Sequence, residues 1–536
     1  MMGTNVKISS EIPCVNCGLR GGKVANLMFP TRPLPLDLLR SPRFPNEGDI
    51  LDIMQNIKSA QSDMTILDSE ISRIHAVLNE LRTQRKEAQA YIRSQKALLA
   101  PVRRIPEEIL GEIFMASGYN VEFSGMNTFV WILPLVCSRW RQVALSLPKL
   151  WSNPWIDLKY IIDGNIPITY AQKLFEICIN RSGSHPLHIR LTMSESVERS
   201  VFLERFILKI LSTSKRWETL LIGAESLAII QETFNTIVPL PLLKVLTIRN
   251  RCNLPLLPFD IFSDAPSLEE VNLHVTDEPL QSYIIPWSQI TRLTMFSGLP
   301  LFGDFFSVLR EMTQLVYLDL SGTYFRDHSY YDIPIQPSKT VTLPSVQQFH
   351  VRCSLAAIAV AHSFEFPNLK EFFISFSPRT DYHELECIEA INGFIYRSKC
   401  SVQMLHFEGS LTDNTDNVIL LLSAMNSIIK LIFDCEKASA MMVLNYLTKL
   451  DDHENLVILP NLSDLSLENT QKNSLETILA LLRVRSCTKH VEEFSYTATP
   501  PSCLRQLRLC SMHCSMDDIM ELVQISSENG VKLSVG

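Results

Sequence analysis

From residue 53 the apolar side chains advance in alternating steps of four and three: Ile53, Ile57, Ala60, Met64, Leu67, Ile71, Ile74, Leu78, Leu81, Ala88, Ile92 and Leu99. Arg85 and Gln95 are the two polar residues on this stripe, and no glycine or proline interrupts it before Pro101. A 3.5-residue period held this long predicts one helix over 50–100 with the narrow seam of a coiled coil, not the broad stripe of a core helix. At 1.5 Å per residue such a helix extends about 70 Å. The seam predicts self-association through 50–100. The other readings are a helix lying against the rest of the chain, or one pairing with a different protein.

After Pro101 the pattern shortens. Ile105-Pro106-Glu107-Glu108 opens a helix, with proline preset for the first turn and two acids at its positive end. Ile109, Leu110, Ile113 and Phe114 form its sticky face. A glycine-punctuated connection over 117–128 follows. Next comes an apolar segment carrying Leu133, Val136, Cys137 and Trp140, then Val143, Ala144 and the pair Leu150-Trp151. Pro134 lies inside the helix this segment predicts and removes one of its hydrogen bonds. Cys137 is expected to be buried packing.

Beyond residue 160 the pattern becomes apolar-x-x-apolar-x-apolar, repeated eleven times with first positions Trp217, Leu243, Leu268, Ile290, Leu315, Val346, Leu369, Val402, Ile428, Leu462 and Leu504. Each unit predicts one short parallel strand, with the intervening chain returning on the outside, helically at 198–211, 438–450 and 474–483. A mixed α/β domain with the same hydrophobic pattern is the other reading. In each strand the apolar positions point inward and the residues between or just after them line the opposite, concave face. His274, Asp319, His350, Arg352, Phe373 and His406 are its candidate binding residues, with Arg292 and Arg508 on the same face.

Composition narrows the function. At 536 residues the chain is too long for one core, and 46% hydrophobic with 20% charged is ordinary for a folded protein. The net charge of −8 is spread along the chain without a basic stripe, which disfavours nucleic acid as a partner. No secretory leader is expected, and the most apolar stretch, 418–433, is too polar to span a membrane. Thirteen scattered cysteines fit reduced thiols inside a cell. Cys14 and Cys17 have half of a zinc spacing but no second pair, so they are weak metal candidates. No nucleophile elbow, phosphate loop, dinucleotide turn or zinc-protease helix occurs, so no catalysis, cofactor or resident metal is expected.

The segment 101–158 resembles an F-box. It shares the Pro-x-Glu-Ile-Leu element at Pro106, the Val-Cys-x-x-Trp element at Val136 and the Leu-Trp pair at Leu150. The order of the whole chain resembles the multi-domain F-box proteins of mushroom-forming fungi: a disordered tail over 1–49, an all-α coiled coil over 50–100 and F-box over 101–158, then an irregular α/β solenoid of leucine-rich-repeat type over 159–536. The resemblance implies a substrate receptor of a Skp–cullin–F-box ubiquitin ligase, at work in the cytoplasm or nucleus. Ile105, Pro106, Ile109, Leu110, Ile113, Phe114, Val136 and Trp140 would dock on the Skp-type adaptor and through it on the cullin. The repeats would hold an as yet unknown protein substrate. The rival reading, kept open by Pro134 and the long 117–128 connection, is a coiled-coil and repeat scaffold with no ligase role.

Overall fold

The structure is a computed structural model. It describes residues 40, 42 and 44–535 except 118–120, 124–128, 164–165, 193–200, 224–225, 228–229, 231–237, 250–258, 275–279, 297–301, 323–339, 353–354, 376–383, 409–414, 435–437, 453–455, 470–473, 486–502 and 512–514. Two compact units compose it, Met1–Pro106 and Glu107–Gly536.

In the first unit the long apolar period forms one helix, α1 (Glu47–Leu99), of 53 residues. Asn46 caps it reciprocally. Its Oδ1 accepts from the Asp49 amide at 2.9 Å, and its own amide donates to Asp49 Oδ2 at 3.2 Å. Pro101 then opens a short 3₁₀ turn, Pro101–Arg104. No residue of α1 is buried. Cys14 and Cys17 lie outside the described residues.

The second unit opens with three short helices, α2 (Glu107–Ala116), α3 (Phe129–Val136) and α4 (Ser138–Leu145). The single helix expected around Leu133 and Trp140 is two. Cys137 adopts an extended conformation (φ −162°, ψ 170°) and caps α4, its Sγ accepting from the Trp140 amide at 3.5 Å. It is therefore a half-buried cap, not core packing. Pro134 stays inside α3, and its carbonyl accepts from Arg141 Nε at 2.8 Å, which ties the two helices across the break.

Fifteen strands then line up in one open sheet in strict sequence order, and every pair between them is parallel. They begin with β1 (Val121–Glu122), β2 (Pro154–Asp157), β3 (Leu187–Thr192), β4 (Trp217–Gly223), β5 (Val245–Arg249), β6 (Glu270–His274), β7 (Arg292–Phe296) and β8 (Tyr317–Gly322). A separate two-stranded sheet pairs β9 (Val341–Thr342) with β11 (Phe364–Glu365). The main sheet continues with β10 (Gln348–Arg352), β12 (Glu371–Ser375), β13 (Met404–Glu408), β14 (Lys430–Asp434), β15 (Asp464–Glu468), β16 (Gln506–Leu509) and β17 (Lys532–Val535). All eleven repeat units are strands of this sheet. The expected boundary at 158/159 is not a break, because β1 and β2 lie before it and pair directly into β3.

Alternate strand residues are buried, as in β6, where Val271 and Leu273 are inaccessible while Glu270, Asn272 and His274 are half-buried. The buried rows and the return helices, Val201–Leu211, Ala438–Leu447 and Leu475–Val484 among them, make the core. Each buried Leu, Ile or Phe contributes roughly 1.5–3 kcal/mol of apolar transfer. Polar side chains stitch one turn to the next just before four of the strands. Ser267 donates to the Pro241 carbonyl at 2.7 Å, Ser345 to Thr313 at 2.8 Å, Asn368 to Pro344 at 2.8 Å and Asn461 to Asn426 at 3.0 Å. In all four the donor sits one residue before the first apolar position of its unit, and the acceptor two residues before that of the preceding unit.

Candidate interaction surfaces

Helix α2 is apolar on two adjacent rows, and the fold uses them differently. Leu110 and Phe114 are 1% and 0% exposed, whereas Ile109 and Ile113 are 52% and 44% exposed. Phe114 is the hub of the helical segment. Its ring meets Trp140 of α4 at 5.0 Å and Phe129 of α3 edge-on at 6.4 Å. Beneath them Trp131 packs edge-on against Trp151 at 5.4 Å, and Trp151 Nε1 donates to the Ala144 carbonyl at 2.8 Å. The Arg181 guanidinium covers Trp151 at 4.3 Å. This packing leaves a second exposed row on α3, with Ile132, Leu135 and Val136 at helical spacing and Phe129 at its start.

The expected adaptor residues therefore divide. Ile109, Ile113 and Val136 are on the surface, and Trp140 is half-buried against Phe114. Leu110 and Phe114 are corrected from contact residues to core residues, because a fully enclosed side chain cannot insert into a partner. Ile105 is half-buried and Pro106 exposed, both in the first unit. Sequence reasoning missed Ile132 and Leu135, although the i, i+3, i+4 spacing of Ile132, Leu135 and Val136 carried the signal.

The second surface is the face of the sheet opposite its buried rows. Parallel register brings Asp319, His350, Phe373 and His406 into one line across β8, β10, β12 and β13. The line is a continuous ladder of rings. The Arg292 guanidinium lies 4.0 Å from the Tyr317 ring centre and 3.4 Å from a Glu270 oxygen. Tyr317 donates its hydroxyl proton to Asp319 at 3.0 Å and stands 3.4 Å from His350 Nδ1. His350 stacks on Phe373 at 4.9 Å, and Phe373 meets His406 edge-on at 4.4 Å. His274 stacks separately on Phe296 at 4.3 Å. Arg352 closes β10 one pleat further along.

Electrostatics follow from partial burial. Desolvation, with the Asp319 carboxylate beside it, pushes the Tyr317 phenol up to about 12, so it stays a donor. Burial lowers the pKa of His350, although Asp319 pulls the other way, so the ring is held in its neutral form. The ladder offers ring faces and a few fixed polar atoms, the composition of a recognition surface. A groove of about 410 Å³ opens farther along the same face, where Met404 and Ile432 share the lining with Lys430, Arg508, Glu371 and Asp464. Sequence reasoning missed Tyr317 and Met404, which stand one residue before the first inward position of their strands.

Among the described residues no group of three His, Cys, Asp or Glu side chains is placed to hold a metal ion, and no helix is long and apolar enough to cross a membrane. A scan of the chain against protein-family models matches none, and a search of the curated proteins finds no match.

Proposed function

We propose that this chain is the substrate receptor of a Skp–cullin–F-box ubiquitin ligase. Residues 101–158 dock on the Skp-type adaptor as an F-box, and a leucine-rich-repeat-like sheet holds the target protein on its ring ladder. The long N-terminal helix serves as a coiled-coil strand. The observation that carries the reading is the pair of exposed apolar rows, Ile109 with Ile113 and Ile132 with Leu135 and Val136, on helices fixed from behind by Phe114 and Trp151. Exposed apolar rows on a rigid support mark docking surfaces. They coincide with the sequence elements that resemble an F-box. Such a receptor has no chemistry or cofactor of its own. It raises the rate of target modification by holding target and ligase together, in the cytoplasm or nucleus.

The test is a pull-down of the full chain with a purified fungal Skp-type adaptor. Ile109→Asp with Ile113→Asp should abolish binding while leaving the circular dichroism spectrum and melting temperature unchanged, since both side chains face solvent. Retained binding by that variant, or none by the wild type, overturns the docking role and favours the scaffold reading. Phe114→Asp is a poor probe, because a buried carboxylate would open the helical core.

A further inference from the structure

We infer that α1 pairs with α1 of a second copy of this chain in antiparallel orientation, the acidic half of each helix against the basic half of the other. The pairing goes beyond the adaptor-docking reading and does not depend on it.

The helix needs a partner. Its seam residues Ile57, Met64, Ile71, Ile74 and Leu81 are 51%, 61%, 51%, 52% and 54% exposed, and no residue of the helix is buried. An apolar seam of this length left in water is a standing cost that pairing removes.

Charge names the partner and the direction. Residues 47–72 carry Glu47, Asp49, Asp52, Asp63, Asp68 and Glu70 against Lys58 alone, a net charge of −5. Residues 73–99 carry Arg73, Arg82, Arg85, Lys86, Arg93 and Lys96 against Glu80 and Glu87, a net charge of +4. Glu70 and Arg73 pair within the helix at 2.6 Å, and setting them aside still leaves −4 facing +3. A helix split this way complements itself only when reversed.

The heptad positions agree. With Ile57, Ile71 and Leu78 at a and Ile53, Ile74 and Leu81 at d, the antiparallel register that overlaps the whole seam, Ile53 against Leu99, sets Ile71 against Leu81 of the second copy and Leu78 against Ile74. It places Arg85 against Leu67, with Asp68 of the second copy beside its guanidinium. At the flanking e positions Asp68 of each copy meets Arg82 of the other. The parallel in-register pair does the reverse. It stacks Arg85 on Arg85 in the seam and sets Asp63 at g against Asp68 at e, like charge on like charge.

Native lysines read the direction. Lys58 and Lys96 are about 57 Å apart along one helix, at 1.5 Å per residue, beyond a short amine cross-linker. Antiparallel pairing brings Lys58 of one copy beside Lys96 of the other. The experiment is light scattering of the full chain at low salt, then amine cross-linking and mass spectrometry on a mixture of ¹⁴N- and ¹⁵N-labelled protein. A dimer mass with isotopically mixed Lys58–Lys96 links is the expected result. A monomer mass, or mixed Lys58–Lys58 and Lys96–Lys96 links, overturns the proposal. Asp68→Arg should raise the dimer dissociation constant about tenfold, and adding Arg82→Asp should restore it. Tighter association of the single variant would point to the parallel pair and also overturn the proposal. The adaptor pull-down reads a different surface, so failure of either reading is visible without the other.

Discussion

Arg485 shows how one residue fixes a turn of the sheet. It is 2% exposed, and its guanidinium donates to the carbonyls of Leu447 at 2.9 Å, Leu459 at 2.8 Å and Ile458 at 2.6 Å. Burial lowers its pKa to about 10, which still leaves it charged at neutral pH. Leu459, one of its acceptors, is held at φ 48°, a left-handed conformation that a leucine avoids. Arg485→Met should lower stability by about 2–4 kcal/mol in urea titration, by stranding the Leu447 and Ile458 carbonyls and leaving that of Leu459 with only the Leu462 amide at 3.2 Å. Arg485→Lys should recover only part, because one ammonium cannot span all three. The opposite sign is expected at Gly111, buried in α2, where an added Cβ would stand 3.6 Å from Leu147 Cδ1, an ordinary contact. Gly111→Ala should raise stability by about 0.5–1 kcal/mol on helix propensity. His188, His350 and His362 all have pKa values lowered chiefly by burial, from an ordinary 6.5. Below that value the unfolded chain binds protons that the folded chain refuses, so stability should fall as pH drops through 6.5 and be full above it. Melting temperatures at pH 5.5 and 7.5 should therefore separate, and His350→Gln should narrow the gap.

At the scale of elements, the ladder of polar side chains between turns is the feature to test. Asn368→Ala removes one rung and should cost about 1 kcal/mol, read as an earlier midpoint in denaturant with an unchanged slope. The eleven apolar-x-x-apolar-x-apolar units were legible because a strand buried on one face must alternate, and every one of them became a strand. β1 and β2 were not legible, since Val121 and the Pro154–Asp157 strand are too short to show a period. β3 alternates Leu187, Ile189 and Leu191 but lacks the leading apolar residue three places before, and so escaped the template. In α2 four apolar residues form two adjacent rows, and composition cannot say which faces inward. Only the packing of Trp140 and Phe129 on Phe114 decides it. The break at Cys137 was hidden for a related reason: a cap depends on where the next helix must turn, which is settled by tertiary packing. The ring ladder was half visible, its inward-outward alternation in the sequence and its stacking only in the register between strands.

At the scale of the molecule, the sheet grows by adding each strand beside its predecessor, so the core is held by neighbours alone. Stability should then be local. Leu507→Ala in β16 should speed amide exchange in β15, β16 and β17 while leaving β3 to β6 as protected as in the wild type. Uniform loss of protection would show that the unit melts as one body. The same order of strands has a consequence for how such a chain can change over time. Successive repeat starts are as close as 22 residues and as far apart as 42, yet the strands beside the longer intervals stay in parallel register. A connection can lengthen without disturbing the hydrogen bonds on either side of it. The sheet thus works as a ruled page whose line spacing does not depend on how much chain runs between the lines.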